Sequence, residues 1–128
     1  MLTKKFVAII VLMFVLGGIV IFEQIYVDNS MATMQQNIVT LEEYLEQEKL
    51  DESKTLAKKI KDTWSEQETI ICLFVDYRDI ETIAKQAELV EAHLENQDFE
   101  LARVECGALK LAVNNFSNMV SINWHNIL

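Results

Sequence analysis

The residues able to do chemistry are few and scattered. The chain has two histidines, His93 and His125, and two cysteines, Cys72 and Cys106. A carboxylate-bridged metal site in a helical protein needs Glu three residues before His, so that both ligands share one helix face. His93 lacks that Glu, and His125 lies near the chain end, a poor place for a rigid site. The acidic pairs Glu42-Glu43 and Glu66/Glu68 stand among polar neighbours. General acid and base work needs two carboxylates whose surroundings drive their pKa values apart, so these pairs read as solvated faces. Ser30, Ser53, Ser65, Ser117 and Ser121 have no local histidine, and no glycine-rich phosphate loop exists. The expectation is a protein without catalysis, cofactor or metal.

One cluster remains. In "TIICLFVDYRDIETI", residues 69–83, an apolar run breaks into Asp76, Tyr77, Arg78 and Asp79 and then turns apolar again. A catalytic or ligand site is one reading. A corner between two helices is the other, and it needs no function to explain the charges. Asp79 would cap the following helix. Arg78 would pair with a carboxylate or sit at the carboxyl end of the preceding helix, where a cation is favoured. Without Gly or Pro at the corner, a single long kinked helix also stays open.

The elements that hold these residues are helices. The 128 residues include no proline and only three glycines, Gly17, Gly18 and Gly107. Hairpins and loops draw on Gly and Pro, so their scarcity points to long helices with short connections. The formal charge of −9 disfavours nucleic acid, whose phosphates call for Lys and Arg.

Lys4 and Lys5 precede 17 residues without a charge, Phe6 to Phe22. At 1.5 Å per residue that run spans roughly 25 Å, and it can extend to Val27 if Glu23 and Gln24 snorkel. Tyr26 would then lie at the interface, and the lysines would hold the amino terminus in the cytoplasm. The expected partner of residues 6–27 is membrane lipid, with residues 1–28 as stub and anchor and residues 29–128 as an extracytoplasmic domain. A cleaved signal peptide ending near Ser30 or Ala32 is the rival. Without Lys4 and Lys5 the chain keeps 9 of its 11 basic residues against 20 acidic ones, a charge of −11. Anionic headgroups repel such a domain, which suggests a stalk between it and the membrane.

Beyond Asp28 the apolar residues step by three and four. Met31, Met34, Ile38, Leu41 and Leu45 mark a first helix that nothing separates from the apolar run. A second, capped by Asp51, carries Leu56, Ile60, Trp64, Ile70, Ile71 and Phe74. A third carries Ile80, Ile83, Ala87, Val90 and Leu94, and a fourth Leu101, Val104, Ala108, Leu111, Ala112 and Phe116. "EQEKLDES" and "ENQDFELA" match at an offset of 49 residues, pairing Leu45 with Leu94, Leu50 with Phe99 and Ser53 with Ala102. Each reads as a tight turn in which one apolar residue plugs the end and a small residue lets helices approach. The predicted fold is therefore all-α: a transmembrane helix, then an antiparallel four-helix bundle made of two helical hairpins. Its core centres on Trp64, with Phe74 and Ile80. In that order Cys72 and Cys106 differ in height by roughly 15 Å, beyond the ~7 Å that a disulfide spans, so both are expected free. Gly107 weakens its helix, which predicts a close helix contact there.

The anchor, Trp64, the stretch "LFVDYRDIETI" and the final "NIL" occur together in an order that resembles a family known only as a domain of unknown function, number four-three-six-three. The matching positions are Trp64, Leu73 to Asp76, Ile80 and Asn126 to Leu128. The family pattern commonly has His after the Asp; here Tyr77 stands in its place, which weakens a metal at the corner. The resemblance implies a bacterial membrane protein of Gram-positive type and supplies no activity.

The functional expectation is a non-catalytic accessory subunit binding another membrane or surface protein. Trp124, Ile127 and Leu128 are suited to docking. The same three residues could instead cover the open end of the bundle. The alternative function is a sensor module that captures a small molecule or peptide between its helices.

Overall fold

The computed structural model describes residues 2–73 and 77–127, with side chains described there except at positions 2, 23, 24, 27, 77 and 120–127. Every regular element among them is a helix: α1 (Leu2–Glu46), α2 (Leu50–Ile71), α3 (Tyr77–Glu95) and α4 (Phe99–Ile127). α1 runs unbroken for 45 residues, roughly 68 Å, from the apolar run into the folded domain. Its stretch Thr3–Phe22 has a mean hydropathy of 2.8, and none of its residues is buried inside the protein. It is long and apolar enough to cross a membrane. α2 and α3 are separate helices, with a turn at Cys72 and Leu73 after the end of α2.

α1 packs on α2 and α4, and α3 packs on the same two; among the described residues the backbones of α1 and α3 do not approach closely, nor do those of α2 and α4, which meet across the centre through side chains. On α1 the buried stripe is Met31, Met34, Ile38, Leu41 and Leu45; on α3 it is Ile80, Ile83, Ala87, Val90 and Leu94. Both follow the three-and-four spacing that keeps side chains on one helix face. α2 contributes Ser53, Ala57, Ile60, Trp64 and Ile71, while Ile70 faces out. The Trp64 side chain is 1% exposed. Its indole N–H donates to the carbonyl of Ile80 at 3.3 Å, and its ring meets Phe116 edge-on with centroids 6.0 Å apart. One residue thus touches α2, α3 and α4 and leaves no buried donor without a partner.

The two matching stretches fold alike. Glu48 and Gln97 both take positive φ, 54° and 59°. Lys49 N–H donates to Tyr44 and Asp98 N–H to His93, so each preceding helix closes with a six-to-one bond after a left-handed residue. Leu50 and Phe99 pack on the core next to these turns, and Ser53 and Ala102 are fully buried. The helix end that Gly usually closes is closed here by Glu and Gln at the backbone cost of a side chain in the left-handed region.

Several expectations need correction. α2 begins at Leu50 behind Lys49, which makes no side-chain cap, so Asp51 sits inside the first turn rather than before it. There it still favours the positive helix end as a charge. Gly107 meets nothing: a Cβ built on it finds no atom within 4 Å. The domain also stands on no stalk. Tyr26 packs on the core roughly 6 Å past Phe22, and Ser30 and Met31 are buried from roughly 12 Å, so the folded part begins just beyond the apolar run. The two cysteines are free, with Cys106 buried and Cys72 exposed. The largest correction concerns α4, whose buried stripe is Ala102, Cys106, Leu109, Val113 and Phe116. Of the residues expected there, Leu101, Val104 and Leu111 are exposed, and only Phe116 is fully buried. α4 carries two apolar stripes at the same spacing, and packing against α1 and α3 selects the other one.

Candidate functional site

The outer face of α4 follows from that choice of stripe. Leu101, Val104, Ala108 and Leu111 step by three, four and three, and Met119 continues the line two turns further on. Leu101 is 47% exposed, Val104 63%, Leu111 62% and Met119 36%. Single exposed apolar residues are ordinary, but a contiguous row on one helix face makes a candidate interaction surface. Gly107 lies beside the row, and with Ala108 it forms a low floor between Val104 and Leu111. Four positions at i, i+3, i+4 and i+7 are the frame of the hole into which a side chain of a neighbouring helix inserts.

Polar residues border the row. Towards α3 it opens into a groove of about 340 Å³ whose walls include Asp79, Thr82 and Gln86 on α3 and Ala112, Asn115 and Met119 on α4. Glu100 and Glu105 stand at its start. Towards α1 the cations are already engaged. Lys110 pairs with Glu42 at 3.1 Å, and Arg103 donates to the carbonyl of Leu45 at 3.4 Å. Asn114 accepts from Gln35 at 3.0 Å. These contacts turn the polar side of α4 towards α1 and leave the apolar row facing outwards.

The corner residues fall in two groups. Arg78 and Asp79 lie in the first turn of α3, where Asp79 lines the groove and the Arg78 carbonyl accepts from the Thr82 hydroxyl at 3.0 Å. Asp79 is inside the helix rather than its cap. Phe74, Asp76 and Leu128 lie outside the described residues, as do the side chains of Tyr77, Trp124 and Ile127. Trp64 and Ile80 are core. No three of His, Cys, Asp and Glu come together as a metal site among the described residues. His93 is in the last turn of α3, and its carbonyl accepts from Asp98 at 2.9 Å.

Among the described residues, two titrations are displaced. Burial pushes the Cys106 thiol up to about 12, with Glu42 adding to the rise and Lys110 opposing it. An ionised thiolate is the nucleophile, so Cys106 is inert while folded. Lys61 is raised by its 2.9 Å hydrogen bond to Glu91, against a smaller effect of burial.

The candidate site is thus an apolar surface on the described part of α4. The sequence pattern places Leu101, Val104, Ala108 and Leu111 in the core and leaves Met119 unassigned. Gly107 was the available signal, because a glycine that nothing inside the molecule requires points to the outside.

No curated protein and no solved structure matches the chain. A family model does, over residues 21–127, from the end of the apolar run through all of α2 and α3 to the end of α4. The chain belongs to the family described as Domain of unknown function (DUF4363).

Proposed function

We propose that this protein is a non-catalytic accessory subunit, anchored in a bacterial cytoplasmic membrane by Thr3–Phe22, whose outer α4 face binds a helix of another membrane or surface protein. Residues 29–128 form an antiparallel four-helix bundle made of two hairpins outside the cell, with the amino terminus inside. The observation that carries the reading is the exposed row Leu101, Val104 and Leu111. The lysines at positions 4 and 5 support the orientation. Partner binding would cover the row, with the floor at Gly107 and Ala108 receiving an apolar side chain from the partner.

The test is site-specific photocrosslinking in native membranes. A photoreactive residue at Val104 or Leu111 should give one recurrent adduct, and the same residue at Lys58 should not. Leu111→Asp should abolish the adduct formed from Val104 while leaving thermal unfolding unchanged. Adducts of equal yield at all three positions would sink the reading. Capture of a small molecule is the second reading, and the groove between α3 and α4 is what favours it. A compound that raises the unfolding midpoint, and loses that effect in Gln86→Leu, would support capture.

A further inference from the structure

We propose that the end of the domain carrying Cys72 and Leu73 seats on the bilayer surface, with Leu73 in the lipid interface. This rests on the reading of Thr3–Phe22 as a membrane span. It goes beyond that reading by adding a second lipid contact from the folded domain itself.

The heights of the helices carry the inference. α1 and α4 run in opposite directions and are tied at Gln35–Asn114, Glu42–Lys110 and Leu45–Arg103. From Asn114, α4 continues 13 residues to Ile127, roughly 20 Å. The same distance back along α1 from Gln35 reaches Phe22, the last residue of the candidate span. The end of α4 therefore comes down to the level at which the span ends. α2 arrives at that end too. Gln67 shares a cavity of about 350 Å³ with Tyr26, Asn29 and Ser30. Five residues further along, about 7 Å, Cys72 is level with Ile25. Ile25, Leu73 and the segment of α4 at Trp124 consequently share one height, about 5 Å beyond Phe22.

That height is the headgroup layer. A bilayer of ~30 Å hydrocarbon and ~40–45 Å total thickness has roughly 5–8 Å of interface on each side. Leu73 is 75% exposed, more than any other large apolar residue described beyond Phe22, and Ile25 is 55% exposed. Both would face water in a domain held clear of the membrane. In the interface they meet lipid. The occupant is set by continuity: α1 passes through this level as one helix, so the membrane it enters lies directly below. Asp28 and Glu68 near the same end favour zwitterionic over anionic headgroups.

The test uses the full chain in phosphatidylcholine nanodiscs. Cys72 is an exposed natural thiol beside Leu73, and Cys106 is buried, so a fluorophore can be placed on Cys72 alone. Lipids with a nitroxide in the headgroup or high in the acyl chain report its depth by quenching. Lys49→Cys and Val11→Cys, each with Cys72→Ser, supply labels at the far tip and inside the span. Strong quenching at Cys72 with none at Lys49→Cys is the expected result, and Leu73→Asp should reduce the Cys72 signal. An unquenched Cys72 label beside a Val11→Cys label quenched by deep acyl-chain nitroxides would overturn the seating while the anchor stands. Loss of quenching at Val11→Cys as well would overturn the anchor, and the seating with it.

Discussion

The two apolar stripes of α4 make a controlled comparison within one helix. Ala102, Cys106, Leu109, Val113 and Phe116 step by four, three, four and three, and all are buried. Leu101, Val104, Ala108 and Leu111 step by three, four and three, and three of these four are exposed. Spacing, composition and helix are shared; surroundings differ. The inner stripe is covered by the rest of the bundle, Trp64 included, while the outer stripe stays open and only its edge, at Ala108 and Leu111, borders the groove beside α3. Hydrophobic periodicity therefore shows that a helix has an apolar face without showing whether that face is covered inside the chain. A second difference lies in the small residues. Ala102 on the inner stripe is fully buried where the helices close at the turn, whereas Gly107 beside the outer stripe touches nothing.

The largest effect should come from removing the residue on which the inner stripe rests. Trp64 meets Phe116 and holds the Ile80 carbonyl. Trp64→Ala should destabilise the protein by about 3–5 kcal/mol, measured by urea unfolding of the full chain in mild detergent. That is a large part of a small domain's stability. A loss below about 1 kcal/mol would mean that the inner stripe is not the core, and the comparison would collapse.

Leu109 and Leu111 test the comparison most directly, since they are two residues apart on one helix. Leu109 is 1% exposed and Leu111 62%. Leu109→Ala should lose about 2–5 kcal/mol, because it opens a cavity. Leu111→Ala should change stability by less than about 0.5 kcal/mol, the range of surface substitutions. Equal losses would show that something intramolecular covers the outer stripe.

The thiols separate the two surroundings chemically. Cys72 should react with a maleimide at neutral pH, and Cys106 only on unfolding. The native Cys106 holds its proton up to about 12, whereas the unfolded chain releases it near the ordinary value of 9.0. Between these values the unfolded state binds fewer protons, so stability falls as pH rises, by about 1.4 kcal/mol per pH unit. Cys106→Ala should flatten that dependence between pH 9 and 12. If the slope persists in Cys106→Ala, another group titrates there and the burial of Cys106 does not govern it.

Legibility in the sequence followed the number of alternatives each helix offered. The first and third helices each present one apolar stripe after Asp28, and those stripes, Met31 to Leu45 and Ile80 to Leu94, are the buried ones. The paired turns were readable because Leu50 and Phe99 interrupt polar runs at matching places. α4 was not readable: two stripes compete, and only the placement of α1 and α3 decides between them. The heights of the cysteines were misjudged for a related reason. Cys106 is level with Tyr44 and Cys72 with Ile25, roughly 28 Å apart rather than 15 Å. Helix boundaries alone do not fix how far one helix slides along the next; the Gln35–Asn114 and Lys110–Glu42 contacts do.

The smallest effect has the opposite sign. A glycine inside an exposed helix costs roughly 0.5–1 kcal/mol relative to alanine, because it loses more backbone freedom on folding. Gly107 lies in the middle of α4, has no positive φ, and leaves open space where a Cβ would stand. Gly107→Ala should therefore stabilise the isolated protein by about that amount, read as a higher unfolding midpoint in mild detergent. In native membranes the same methyl group should weaken the photocrosslink from Val104, since it raises the floor of the hole between Val104 and Leu111. A destabilised Gly107→Ala would mean that α4 meets a close neighbour inside the chain and that its outer face is not open. A stabilised variant whose crosslink is undiminished would keep the face open but move the partner's contact off that hole and onto the groove beside Met119.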